Sequence, residues 1–334
     1  MSFLRKLPHK PHNSLSMLTV ITRFFTTLNP KPNPFPDVPT SAYYDDLVYA
    51  AGRSRDFETL RDVLNKRVRD GCFNTSKTFN FITNTETSLS VLDDLSQTLA
   101  RLDKGLPRKS AYDSLISRLC KLGRIDESLR VVHTMAREGF GLNVCSFHTI
   151  LNALTRKKEM ERAWGVMKLM REYQIPPDLT AYNYFLSAHC FVRDLTSATD
   201  VLTKMVEEGV KADTRTYDAL VLGACKAGKV EGALVVLRSM VDDGLPVLLS
   251  THMYVVKALL RLGYYAQAIE FVRIFAGRET WLDTHSFGCL ASKLIELERF
   301  DEAKLVLEEM NKRDLEMGDK LMDFYRLNFR DKKN

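Results

Sequence analysis

One pattern recurs every 35 residues through the back two-thirds of this chain, and it constrains the fold before any local reading. A ring stands at Tyr112, Phe147, Tyr182, Tyr217, His252 and Phe287. Sixteen residues after each comes a small residue: Ser128, Ala163, Ala198, Ala233, Ala268 and Ala303. Twenty-three residues after each ring comes Met135, Met170, Met205, Met240, Phe275 or Met310. Three series in one register mark a stacked repeat array, whose periods run from roughly 20 to 50 residues.

The clearest copy runs from Thr216 to Gly244. Tyr217, Leu220, Val221, Ala224 and Cys225 follow the spacing of an apolar helix face. Ala227, Gly228 and Lys229 break that helix, since glycine accepts the left-handed conformation that ends helices. A second helical run turns Ala233, Leu234, Val236, Leu237 and Met240 inward and stops at Asp242-Asp243-Gly244. Each copy is thus a helix–turn–helix hairpin that must stack on its neighbours to bury its apolar faces. The small residue lets two helices approach closely, and methionine fills the irregular gaps between hairpins.

The register extends backwards. Tyr44 precedes Phe79 by 35 residues, and Phe79 precedes Tyr112 by 33, which makes the second copy a shortened one. The fold expected is all-α, a solenoid of about eight hairpins. Residues 41–108 hold two degenerate copies, 109–318 hold six, and 319–334 form a capping helix and polar tail.

The ring followed by a polar residue and leucine, the C-K-x-G turn and the M-x-x-x-G close stand at Tyr112–Leu115, Cys120–Gly123 and Met135–Gly139, and again between Tyr217 and Gly244. This pattern resembles the pentatricopeptide repeat family over roughly residues 41–314. The resemblance implies a right-handed α-solenoid that binds single-stranded RNA in organelles, reading about one base per repeat with two side chains. Editing members carry a deaminase-like extension with zinc-ligand spacing, and no C-x-x-C occurs here, so the plain, non-catalytic class is expected.

Residues 1–25 carry Arg5, Lys6, Lys10 and Arg23, with no acid before Asp37 and frequent Ser and Thr. That composition reads as an organellar transit peptide. Arg23-Phe24-Phe25-Thr26 resembles a mitochondrial processing site, with cleavage after Phe25, and favours the mitochondrion over the chloroplast. A linker at 26–40 contains Pro30, Pro32, Pro34, Pro36 and Pro39 and is expected to be stiff and extended. The apolar runs are too short for a membrane span.

Net charge gives little support for nucleic acid. The chain has 48 basic and 42 acidic residues, and without residues 1–25 it has 44 against 42, net +2. Only a local arrangement of charge could serve a polyanion. Cys120, Cys190 and Cys225 share one position and read as buried thiols. No nucleophile–base constellation or phosphate-cradling glycine motif occurs. No cofactor, metal, small-molecule substrate or enzymatic activity is expected.

The family resemblance also implies where bases are read: by the residue just after the ring and the one four before the next ring. The pairs are Asp45 with Thr75, Asn80 with Arg108, Asp113 with Asn143, His148 with Asp178, Asn183 with Asp213, Asp218 with Leu248, Met253 with Asp283 and Gly288 with Gly318. Only Asn183 with Asp213 is a standard pair, to which the family rule assigns uracil. The aliphatic wedge usual two residues before the ring is missing from every copy. A basic residue nine after the ring, which in the family faces the strand's backbone, survives as Arg53, Lys121, Arg156, Lys226 and Arg261, while the other copies carry Ser88, Phe191 and Glu296. Such a row is an electrostatic track for phosphates that confers affinity without sequence information.

Two roles follow. The first is an organellar single-stranded RNA-binding protein of weak sequence preference, acting in mitochondrial transcript processing, stability or translation. The second is a scaffold contacting ribosomal or other proteins in a larger assembly such as the mitochondrial ribosome.

Overall fold

The computed structural model describes residues 39–277 and 279–329, apart from the side chains of residues 87, 88 and 329. The expected transit peptide (1–25), residues 26–38 of the expected linker and the tail from residue 330 lie outside the described residues.

Every regular element among the described residues is a helix. Helices α1 (Ser41–Arg53) and α2 (Phe57–Arg69) form the first hairpin. The second copy departs from the expected hairpin. Its first helix is replaced by turns at residues 76–81 and a short α3 (Glu86–Leu89), and only its second helix, α4 (Leu92–Ala100), is regular. The run from Thr75 to Thr85 is rich in Thr and Asn and lacks a helical apolar stripe, and tertiary contacts hold it otherwise. The Phe81 ring lies directly on α1 at Gly52, where a Cβ would meet it at 2.4 Å. Arg118 then satisfies the freed backbone, donating from Nη2 to the Ile82 carbonyl at 2.6 Å and to that of Asn80 at 3.3 Å.

Regular hairpins follow. They pair α5 (Leu106–Lys121) with α6 (Ile125–Glu138), α7 (Val144–Arg156) with α8 (Met160–Glu172), and α9 (Leu179–Phe191) with α10 (Leu195–Glu207). Next come α11 (Thr214–Lys226) with α12 (Val230–Asp242), α13 (Leu249–Arg261) with α14 (Tyr265–Phe275), and α15 (Thr280–Glu296) with α16 (Phe300–Lys312). A last helix, α17 (Asp319–Phe329), packs on α15 and α16 and buries Leu321.

The first helices of successive hairpins stack on one another from α5 through α15. Helices α9 and α11 pack tightly at Gly223, where a Cβ would lie 2.8 Å from Cys190 Sγ. The periodic residues form the core. Tyr112, Phe147, Tyr182, Phe287, all six small residues and the five methionines of the series are buried. Burial pushes the thiols of Cys120, Cys190 and Cys225 up, to about 11, about 12 and about 12, so they are inert apolar fillers.

Between the two helices of a hairpin the chain passes through left-handed backbone at one fixed position, eleven residues after the ring. There φ is +78° at Gly123, +76° at Gly228 and +77° at Gly263. The same conformation is held by residues with side chains at Arg55 (+58°), Lys158 (+63°), Arg193 (+70°) and Glu298 (+57°). Such residues carry a steric cost that glycine avoids.

Candidate nucleic-acid interface

The position four before the ring is a helix N-cap, and that fixes its geometry. Thr40, Asn143, Asp178 and Asp213 each accept a hydrogen bond from a backbone N–H of the helix they open. At α11 the cap is reciprocal: the Asp213 carboxylate accepts from Thr216 N–H at 2.8 Å, and the Asp213 N–H donates to the Thr216 hydroxyl at 3.2 Å.

The structure brings Asn183 and Asp213 together. Asn183 Nδ2 donates to Asp213 Oδ1 at 3.1 Å, and the Thr216 hydroxyl lies 2.8 Å from Asn183 Oδ1. Burial alone would raise the Asp213 carboxyl, but hydrogen bonds from Thr216 and Asn183 outweigh it and hold it below the ordinary value.

The hydroxyl one residue before the ring is a feature that sequence reasoning missed. It is buried in five copies, as Thr78, Ser146, Thr216, Thr251 and Ser286. In four of them it donates to the reading-position residue of the preceding copy, 33 positions back. Thr78 reaches Asp45 at 2.8 Å, Ser146 reaches Asp113 at 2.6 Å, Thr216 reaches Asn183 at 2.8 Å and Thr251 reaches Asp218 at 2.6 Å. The alternating Asp, Asn, Ser and Thr at these two offsets was the available signal. Asp45, Asp113 and Asp218 are therefore rungs of an inter-repeat ladder.

The rungs are reinforced unevenly. Asp45 also forms a buried ion pair with Arg67 at 2.9 Å, whose side chain is fully enclosed and also donates to the Thr78 hydroxyl and the Ser41 carbonyl. Asp113 is paired with Lys109, and Asp218 also accepts from Ser250 at 2.9 Å. At the joint between the fourth and fifth copies Ala181 offers no hydroxyl, and His148 Nε2 instead donates to Asp178 at 2.9 Å. Arg108 lies within α5, donating to the Leu102 carbonyl at 2.7 Å beneath the Phe140 ring. Asp283 is carried one turn inside α15, where it accepts from Gly277 N–H at 2.7 Å and not from Met253.

The expected phosphate-facing residues share one position at the end of a first helix, and Lys121, Arg156, Lys226 and Arg261 do so on helices of the stack α5 to α15, whereas Arg53 ends α1, before the copy that has lost its first helix. Arg53, Lys121, Arg156, Lys226 and Arg261 are the final residues of α1, α5, α7, α11 and α13. All but Lys226 are exposed. Two are tied to the preceding copy: Lys226 Nζ donates to the Phe191 carbonyl at 3.0 Å and sits 3.3 Å over its ring, and Arg261 donates to the Cys225 carbonyl at 2.7 Å. A cation at a helix C-terminus is favoured by the helix dipole as well. The left-handed turn residues Arg55, Lys158 and Arg193 stand next to this row and extend its charge. The acids of these turns are engaged locally: Asp56 and Asp194 cap second helices through Thr59 and Ser197, and Glu159 pairs with Arg162.

These features define a stacked helical-repeat protein whose first helices present a polar ladder edged by a row of cations. Models of known families agree. The pentatricopeptide repeat domain matches residues 130–190, the PPR repeat family 177–226, and the PPR repeat 110–140 and 215–245. A pentatricopeptide repeat-containing protein of Arabidopsis thaliana, named as mitochondrial, is 50% identical over 332 residues, covering 98% of this chain and 95% of that protein. A second Arabidopsis thaliana protein of the same description is 53% identical over 287 residues, 86% of this chain and 82% of that one. The chain belongs to the pentatricopeptide repeat family. The crystal structure of the pentatricopeptide repeat protein PPR10 in complex with an 18-nt psaJ RNA element aligns over 92% of this chain and 49% of that one, at 15% identity and a TM-score of 0.47.

Proposed function

We propose that this chain is a mitochondrial RNA-binding protein that holds single-stranded RNA mainly by its phosphates, with weak sequence preference, in transcript processing, stability or translation. The observation that carries this reading is the row of Arg53, Lys121, Arg156, Lys226 and Arg261 at successive helix ends. Repeat stacking sets Lys121, Arg156, Lys226 and Arg261 along a line that a strand's phosphates can follow. Base reading is limited to Asn183 with Asp213, because the other copies lack a standard pair. The mitochondrial names of the two relatives support the compartment.

Electrophoretic shifts with randomised single-stranded RNA test it. Binding should weaken steeply with salt and vanish when Lys121, Arg156, Lys226 and Arg261 are all changed to Glu. Absence of binding to the unaltered protein at low salt overturns the reading.

A second reading, a scaffold within a larger assembly such as the mitochondrial ribosome, is favoured by the ladder, which stiffens the stack without any bound strand. Sedimentation of the tagged protein wholly with small complexes counts against it.

A further inference from the structure

The chain has two tryptophans, and they are placed oppositely. Trp164 packs on the Phe185 ring with 4.2 Å between centroids, and Lys204 Nζ lies over it at 4.1 Å. Trp281 is 58% exposed. An indole left in water forgoes more apolar burial than most other side chains, so its exposure calls for a partner.

Helix α15, which carries Trp281, begins one turn early. It starts seven residues before its ring, Phe287, whereas α7, α9, α11 and α13 each start three before theirs. Asp283 anchors the added turn by accepting from Gly277 N–H at 2.7 Å. His285 then fixes the indole. The two ring centroids lie 4.5 Å apart with the planes at 38°, and His285 Nδ1 donates to the Trp281 carbonyl at 2.8 Å. The imidazole backs one side of the indole and leaves the rest open. A large ring already held in one orientation loses little side-chain entropy when a ligand lands on it.

The indole shares a face with the positions already assigned to nucleic acid. Trp281, His285, Gly288, Ser292 and Glu296 follow one another at intervals of four, three, four and four residues, a single stripe along a helix. Gly288 stands at the reading position of this copy and Glu296 at that of the cations. No side chain at Gly288 blocks a planar group on the indole, and the Ser292 hydroxyl is turned to the Gly288 carbonyl at 2.8 Å. Glu296 is paired with Lys293, so the stripe offers stacking and not a phosphate contact. The cations end one first helix earlier, at Arg261 on α13, and α13 packs on α15. A strand that follows them meets this stripe next.

We propose that Trp281, backed by His285, is a stacking platform for one base of the bound RNA strand, an inference that rests on the RNA-binding reading above. Stacking uses the π-face that every base has, so the contact adds affinity at α15 without sequence preference. A protein partner for the same indole is the alternative that the experiment separates.

The full chain is titrated with short randomised single-stranded RNA, and separately with inorganic polyphosphate, while tryptophan fluorescence is followed. RNA should quench the fluorescence, and polyphosphate, which has charge but no bases, should not. Trp281→Phe keeps Trp164 and a smaller ring, and should lose the quench while retaining most of the affinity. Trp281→Leu should bind about tenfold more weakly, the scale of one lost stacked base, with an unchanged salt slope because no phosphate contact is removed. Both variants should melt at the temperature of the unaltered protein, as expected of an exposed site. A quench by polyphosphate equal to that by RNA, or one that survives in Trp281→Phe, overturns the platform and leaves the RNA reading intact. Full affinity in Trp281→Leu does the same and marks the indole as a protein contact. Where no RNA binds at low salt, the RNA reading and the platform both fall.

Discussion

Asn183 and Asp213 hold each other across two repeats at 3.1 Å, and the buried Thr216 hydroxyl lies within 2.9 Å of both. The pair placed to read a base is thus also a structural joint. Its donors and acceptors are already in register before any strand arrives, which is preorganisation of the kind that limits the cost of binding.

Thr216→Val tests the joint. The substitution keeps the shape and removes the hydroxyl that accepts the Asp213 N–H and completes the rung. A loss of about 1–3 kcal/mol in urea unfolding is expected, as for a buried hydrogen-bonding group deprived of its partner. The same change at the exposed Thr199 should alter stability by under about 0.5 kcal/mol. Equal effects at the two sites would show that the rung contributes nothing.

Acid should act through Asp213. Its carboxyl is lower in the folded chain than in an unfolded one, where the ordinary value is 3.8. A lowered folded value means that the stabilisation is complete above the unfolded pKa and disappears as pH falls through the folded one. Asp213→Asn keeps a good N-cap and removes the titration. The stability gap between the two proteins should shrink as pH is lowered from about 6 to about 3, while a gap independent of pH refutes the assignment.

The left-handed turn residues set stability against binding. Lys158→Gly and Arg193→Gly each relieve about 1–2 kcal/mol of backbone strain and loosen the unfolded chain by about 0.4–1 kcal/mol. A net gain of about 0.5–1 kcal/mol per site is expected from those figures. Each change should also lower the salt slope of RNA binding by about 1 if the side chain meets a phosphate. Stabilised variants with an unchanged slope would place both cations off the strand's path.

The architecture was legible because ring, small residue and methionine recur in one register, and core packing tolerates little else at those places. The meeting of Asn183 with Asp213 was legible through the family's spacing. The lost helix of the second copy was less so: Phe79 keeps the ring, and only the contacts of Gly52 and Arg118 show why the chain around it turns. The ladder was hidden because Thr251 and Asp218 meet across copies, at a separation no local periodicity reports. The involvement of Lys226 and Arg261 with the Phe191 and Cys225 carbonyls was hidden for the same reason.

The rungs are unevenly spaced along the stack, and this has a mechanical meaning. Asp45, Asp113, Asn183 and Asp218 each pin their copy to the next, whereas Ala111 and Ala181 supply no hydroxyl and Ser286 turns to His252 at 3.1 Å. A pull along the axis is therefore met by hydroxyl rungs at the coils led by Asp45, Asp113, Asn183 and Asp218, and by bonds of other kinds at the rest: Arg118 to the Ile82 carbonyl, His148 to Asp178 and His252 to Ser286.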